Sequence, residues 1–476
     1  MKKSIIVLLS LTIMLAVNTS ALSAEQKAFK AGAAKSNITP DLGGDIIGGF
    51  HPFPSQNVHD DLWVRCIVLD NGEARVAFVV CDLLGLGRYM CDEARRLVNK
   101  RTGLPEANVM ISAIHTHSAT SALGDRFTTK PELTDYQAFV ARRIADAVQC
   151  AMTNLAPARI GWATGSEPRH VFNRRWFMKP GTVPVTPFGG TNDLVKMNPP
   201  RASENLVKPA GPTDPEICLI AVQSPDGRPI ALLANYSLHY VGGVKGSDIS
   251  ADYYGMFNDR IQQLLGADRQ DPPFVAMMSN GTSGNINNID FTKQGEKLPP
   301  YARMREVAED VAQAVHKAYQ SIQWHDSVPL GAAFEELEMN FRHPTPEQLE
   351  RAKNIIAKID PAKKKTLEEI YAERTMKVND YPEHGKIPLQ VFRVGDVGVG
   401  AIPTEVFVEI GLEMKKRSPF KPTFVVSLAH GYFGYLPTVE QHKLGGYETW
   451  LGTNRLEIEA APKIIETLLS MLQRLK

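Results

Sequence analysis

The stretch Val109-Met110-Ile111-Ser112-Ala113-Ile114-His115-Thr116-His117-Ser118 is an apolar run that stops at two histidines one residue apart. Read as a strand over Val109 to Ile114, it passes into a loop at His115. Side chains two apart on an extended segment share one side, so both imidazoles can converge on a single point. Strand ends are common addresses for catalytic groups in α/β folds. By itself a His-x-His pair fits a bound metal ion and equally a hydrogen-bonded pair at the surface.

Outward from this strand the pattern repeats. Strand-like runs occupy Leu62 to Leu69, Ala74 to Cys81, Ile217 to Val222, Ile230 to Ser237, Phe274 to Met278, Leu389 to Val394, Val397 to Ile402 and Phe424 to Ala429. Many are continuously apolar, as expected of strands covered on both faces. Amphipathic helices are expected at Asp135 to Met152, Ala302 to Ile322 and Pro346 to Ile359. The fold class is therefore α/β, with mixed sheets flanked by helices. No fixed-period repeat and no linker between independent cores stands out, so residues 25–476 are expected to form one large domain. Phe177 to Val207, rich in Pro, Gly, Asn and Thr, reads as a long irregular loop of the kind that roofs a site. His343 to His384 reads as helical and solvated, with Lys363 to Lys365 on an exposed face.

Composition narrows the function. Lys and Arg number 53 and Asp and Glu 52 in 476 residues, a net charge of +1, which excludes electrostatic capture of nucleic acid as the main activity. Residues 1–24 carry Lys2 and Lys3, an apolar run from Ile5 to Val17 and small residues through Ala24, the layout of a secretory signal peptide. That run is too short for a membrane span, and no later stretch approaches ~20 continuous apolar residues. An exported chain, periplasmic or secreted, with no transmembrane span after cleavage is expected, and no cysteine near the cleavage region offers a lipid attachment point. Five cysteines, with no Cys-x-x-Cys pair, are an odd number and no disulfide framework. Cys66, Cys81 and Cys218 sit in apolar runs and read as small buried hydrophobes.

Other groups stand at strand ends. His239 follows the run Ile230 to Ser237. Glu405 follows Ile402-Pro403, where it could equally be an acid at a helix N-terminus. Tyr432, Tyr435, His442 and Tyr447 lie among glycines after Ala429.

Taken in order, Gly32 to Pro40, the strand Asp61 to Asp70, Val80-Cys81-Asp82, His115-Thr116-His117-Ser118, Ser237-Leu238-His239, Ile249-Ser250-Ala251-Asp252, Pro403-Thr404-Glu405 and the Tyr435/Tyr447 pair resemble the neutral/alkaline ceramidases. The resemblance spans the catalytic domain of that superfamily. It implies one zinc ion per chain held by His115, His239, Glu405 and Tyr435. It also implies His117 as the second histidine of the box, Tyr447, twelve residues beyond Tyr435, at the reacting centre, and Arg174 in Asn173-Arg174 as a further catalytic residue. Two imidazoles and a carboxylate are the ligand set of several hydrolytic zinc sites, which lower the pKa of water toward ~7. Proton transfer by His117 and hydrogen bonding from Tyr447 to a tetrahedral oxyanion complete the expected chemistry.

The chain also departs from the family. The serine of a Gly-Asn-Leu-Ser-Pro-Asn-like segment, important for activity in the family, falls at Asn287 when Gly284-Asn285 is aligned, which makes Asn287 the catalytic candidate at that position, and Thr404 replaces a glycine before the glutamate. The sequence ends soon after Tyr447, so the family's C-terminal immunoglobulin-like domain is not expected. The leading expectation is an exported zinc hydrolase of a small-molecule or lipid-like acyl substrate, ceramide or a different amide or ester such as a decorated carbohydrate. A serine hydrolase using Ser283, which lacks the Gly-x-Ser-x-Gly elbow, and a non-catalytic binding protein on the same scaffold are the alternatives.

Overall fold

The computed structural model describes residues 28–124 and 132–476; the leader-like residues 1–24 lie outside them. One topology occurs three times. In the first unit β1 (Lys30–Asn37), β2 (Trp63–Asp70), β3 (Arg75–Cys81) and β4 (Val109–Ala113) lie in the order β4-β3-β2-β1, with helix α1 (Arg88–Thr102) before β4 and α2 (Asp135–Thr153) after it. The second unit places β5 (Arg159–Ser166), β6 (Glu216–Gln223), β7 (Pro229–Tyr236) and β8 (Val275–Asn280) in the order β8-β7-β6-β5, with α3 (Asp252–Leu264) and α4 (Ala302–Tyr319) in the same positions.

In the third, β9 (Leu330–Asn340) is followed by two inserted helices, α5 (Pro346–Ile356) and α6 (Leu367–Asn379), before the pattern resumes. There β10 (His384–Val394), β11 (Val397–Ala401), α7 (Val408–Arg417), β12 (Thr423–Val426) and α8 (Ala460–Leu475) complete a sheet ordered β9-β10-β11-β12.

In every unit three antiparallel strands are followed by a fourth lying parallel to the third. A parallel neighbour cannot be reached through a tight turn, so a crossover helix is required each time. The units begin at Lys30, Arg159 and Leu330, and these unequal intervals leave no fixed period in the sequence. The ends of the fourth strands meet: Asn280 Nδ2 donates to Ile114 O (3.2 Å), Ser427 N to Asn280 O (2.9 Å) and Ala113 N to Leu428 O (3.3 Å). The excursion between first and second strands holds Gly48 in unit one, Arg174 in unit two and α6 in unit three, and all three reach the region beside those strand ends.

Burial follows the period of two along a strand. On β10 Phe392 and Val394 join the main core shared with the first two units, while Leu389 and Val391 face a second cluster under α8. Cys66, Cys81, Cys91 and Cys218 are buried free thiols and Cys150 is exposed. Among the described residues no helix is long and apolar enough to cross a membrane.

Two stretches differ from their sequence reading. Phe177 to Val207 is framed by a small sheet, Arg175–Met178 pairing with Val195–Met197 and Leu206–Pro209, because Val195 and Trp176 find a buried face there. The helices within His343 to His384 form, yet α6 is not solvated all round: Tyr371, Ala372, Thr375 and Val378 are buried, and Arg374 turns toward the interior.

Buried imidazoles make stability depend on acid. His430 is fully enclosed, with Nε2 2.8 Å from Gln390 Oε1, and burial reinforced by Arg95 and Arg88 pushes its pKa well below 6.5. Burial with Arg342 and Arg175 pushes His442 down to about 3. Below about pH 6.5 the unfolded chain takes up protons that these folded sites refuse, so stability falls as pH drops, by up to ~1.4 kcal/mol per pH unit for each imidazole. Urea midpoints should therefore be lower at pH 5 than at pH 7.5, with a shallower pH slope in His430→Gln. An unchanged slope in that variant would remove His430 from the explanation.

Candidate metal centre

His115 stands two residues beyond β4 with φ 73°, in the left-handed region that a side chain rarely adopts. Backbone bonds from His115 N to Leu83 O (2.9 Å) and from Ile114 N to Cys81 O (3.1 Å) hold this turn. The histidine pair does converge, but through the turn rather than through the alternation of an extended strand. His115 and His117 approach Nε2 to Nε2 at 3.2 Å, and the His239 ring centre lies 4.7 Å from that of His115. The three imidazoles form a buried group that could hold a metal ion.

The second and third units supply the rest. His239 follows β7, and Glu405 lies in the short strand Glu405–Val406, whose parallel partner Tyr435–Leu436 sets Glu405 opposite Tyr435. Gly284 permits this approach: a Cβ there would lie 2.6 Å from Glu405 O. Likewise a Cβ at Gly48 would lie 2.7 Å from the His117 Cβ.

Glu405 Oε2 is 3.2 Å from His115 Nε2 and 3.7 Å from His239 Nε2. The tautomers follow from the other nitrogens. His115 Nδ1 is 2.8 Å from Leu84 O and His239 Nδ1 is 3.1 Å from Ser283 O. A carbonyl oxygen can only accept, so both Nδ1 atoms carry a proton, and in a neutral ring each Nε2 presents a lone pair. Two lone pairs therefore face a carboxylate oxygen that is buried and has no hydrogen-bond donor. Acceptors gathered in this way are the arrangement that a bound cation would satisfy, and imidazole nitrogens with a carboxylate are a donor set that could hold a metal ion.

The charges around it are ordered. Burial pushes the His117 and His239 pKa values well down, helped by the neighbouring imidazoles and Arg174, so both rings are neutral. Burial raises the Glu405 pKa, but His115, Tyr435 and Arg174 outweigh it and the group is held below the usual carboxylate range. Tyr435 and Tyr447 are pushed up by burial and by Glu405, which keeps both phenols protonated without a cation. Arg174 Nη2 donates to Tyr435 Oη (3.0 Å), its Nε donates to Glu448 Oε1 (3.1 Å), and its Nη1 lies 3.5 Å from His239 Nε2.

His115, His117, Glu405, Tyr435 and Tyr447 line one cavity of about 80 Å³, together with Gly48, Phe50, Arg374 and Tyr432. The Tyr435 and Tyr447 ring centres are 5.7 Å apart, and Phe50 stands edge-on to Tyr447. Leu123 and Tyr432 also border a wider groove of about 650 Å³, whose wall mixes Leu133, Phe341, Tyr381 and Phe433 with Arg88, Asp92 and Lys386.

Asn287 lies apart from this group: its Nδ2 donates to Asn198 Oδ1 (2.8 Å) and its Oδ1 accepts from Ile289 N (2.9 Å). Ser283 is buried under His239, and its hydroxyl donates to Asn280 Oδ1 (2.8 Å). Sequence reading missed Glu448, Phe50 and Arg374, and noted Tyr432 only as one aromatic among several; its hydroxyl donates to Glu405 Oε1 (2.7 Å). Adjacency to Tyr447 was the one local signal for Glu448.

Three repeated α/β units with ligand-type side chains at their strand ends define a fold already known from solved structures, although no family model matches the chain. Neutral ceramidase from Pseudomonas aeruginosa shares it with a TM-score of 0.70 and 15% identity, over 94% of this chain and 75% of that one. A ceramidase complexed with C2 shares it with a TM-score of 0.68 and 16% identity over the same proportions. At this identity the likeness is one of fold, and the fold is that of neutral ceramidase.

Proposed function

We propose that this chain is a zinc-dependent hydrolase that cleaves an acyl amide or ester, exported from the cytoplasm by its leader-like N-terminus and working as one catalytic unit over residues 25–476. The observation that carries the reading is that His115 Nε2 and His239 Nε2 face the unpartnered Oε2 of Glu405, beside a cavity lined by Tyr435 and Tyr447. Tyr435, opposite Glu405 in register, is the fourth ligand. A bound divalent ion would supply Lewis-acid polarisation of the acyl carbonyl and would acidify water.

The chain's own residues do the rest. His117 is the more accessible imidazole of the three, stacked on Tyr240 with ring centres 3.7 Å apart. It takes a proton from the attacking water and returns it to the leaving nitrogen or oxygen. Tyr447 would donate a hydrogen bond to the developing oxyanion, and Arg174 fixes the Tyr435 oxygen. No role falls to Asn287, whose side chain is engaged elsewhere. The reacting carbonyl would enter the cavity lined by His115, Glu405 and Tyr447. The remainder of the substrate would occupy the wider groove, whose charged wall suits an amphiphilic compound better than a purely aliphatic one.

Elemental analysis with a panel of ceramide, simple N-acyl amides and acetyl or methyl esters tests this. Activity should vanish with a chelator and return with zinc; turnover untouched by chelation would refute the reading. His117→Ala should keep about one ion per chain while kcat falls roughly 10²- to 10³-fold. Loss of the ion in that variant would make His117 a ligand instead of a proton carrier.

A further inference from the structure

Arg374 enters the cavity from α6, one of the two helices inserted between β9 and β10. Its guanidinium carbon lies 5.4 Å from the Phe50 ring centre and 4.9 Å from that of Tyr371. Cation–π attraction of this kind fixes the charge in place while leaving N–H donors for a ligand. The acids of its own helix are engaged elsewhere, Glu368 with Arg351, Glu373 with Lys365 and Glu369 with the backbone of Thr366. Among the described residues no carboxylate lies within ion-pairing distance of Arg374. The other arginine at the centre, Arg174, has Glu448 as its counter-charge. The cavity lined by His117 and Tyr447 therefore holds one fixed, partly buried guanidinium without an acidic partner among those residues.

We propose that Arg374 recognises an oxyanion on the substrate, so that the acyl compound cleaved here carries a carboxylate or a sulfonate- or sulfate-like group close to the scissile bond. This rests on the hydrolase reading of the same site. The shared lining supports it: a substrate whose carbonyl reaches His115 and Glu405 enters a cavity that Arg374 also lines. A guanidinium chelates two oxygens of one anion through parallel N–H bonds, which gives orientation as well as affinity. A neutral substituent at that position would leave the charge partly desolvated and unpaired.

Calorimetric titration of the zinc-loaded protein with N-hexanoylglycine, N-hexanoyltaurine and the neutral N-hexanoylglycinamide tests the assignment. At least one of the two anions should bind tenfold or more tightly than the amide, and which of them does so separates a planar from a tetrahedral oxyanion. Arg374→Gln should cost the preferred anion at least tenfold more than it costs the amide, and Arg374→Lys should recover part of the loss. Melting temperatures identify a variant that fails to fold, in which case the wild-type preference and the lysine variant decide. Equal binding of all three ligands, no binding of any at millimolar concentration, or an equal loss for anion and amide would overturn the proposal. Turnover is scored separately: selectivity without hydrolysis sinks the hydrolase reading and leaves the oxyanion site standing, whereas chelator-sensitive hydrolysis without selectivity does the reverse.

Discussion

Glu405→Gln should produce a protein that loses its metal ion and roughly 10³-fold or more of its activity, with only a small change in stability in the presence of a chelator. The two halves of this result have one cause. In the metal-free protein Glu405 Oε2 points at two imidazole lone pairs and finds no donor. An amide at the same place offers N–H groups to His115 Nε2 or His239 Nε2, and a hydrogen bond gained there contributes about 1 kcal/mol. With the ion bound the wild type becomes clearly the more stable, because an ion that binds only the folded state stabilises by mass action and the variant has lost its anionic ligand. Scanning fluorimetry with and without chelator, beside elemental analysis, reads both effects. A variant that keeps one ion per chain and most of its turnover would show that Glu405 is no ligand.

Glu448→Ala carries the largest expected loss of stability. Glu448 has no exposed surface and bridges two arginines that are also buried, Arg174 at 3.1 Å and Arg175 at 2.7 Å. Arg175 additionally donates to Gly445 O at 2.7 Å and to Gln441 Oε1 at 3.1 Å, which ties the Tyr447 segment to the excursion that carries Arg174. Removing one partner of a buried charge set strands the others, at a cost of about 3–5 kcal/mol. The same change releases Arg174 from the Tyr435 hydroxyl, so turnover of the surviving folded protein should fall as well. Glu448→Gln keeps the shape and should lose less stability than the alanine variant. Urea denaturation measures the difference; an alanine variant within about 1 kcal/mol of wild type would mean that other groups neutralise the two guanidinium ions.

Much of the fold was legible because its strands are continuous apolar runs. The runs around Val109, Ile217, Ile230, Leu389 and Val397 all became strands within a few residues of their expected ends. The threefold repetition was hidden. It resides in strand order and crossover, whereas the excursions between first and second strands differ in length and share no pattern. The small sheet around Trp176 was read as loop because its short strands are separated by Pro- and Gly-rich turns and gain their buried face only from distant partners.

At the centre, the sequence by itself determined the chemical types: imidazoles, a carboxylate and phenols just beyond buried strands, where side chains leave the core and become available for chemistry. Resemblance supplied which of them belong together. Only the tertiary structure decided that His115 reaches the others through a left-handed turn, that Oε2 of Glu405 faces imidazole nitrogens and no donor, and that Arg374 comes in from a helix that reads as solvated. The reason is that strand and helix periods are local, extending over a few residues, while the meeting of residues 115, 239, 405 and 435 depends on how three separately wound sheets pack their parallel ends together. That packing is fixed by the burial of whole faces, and no short stretch of the chain records it.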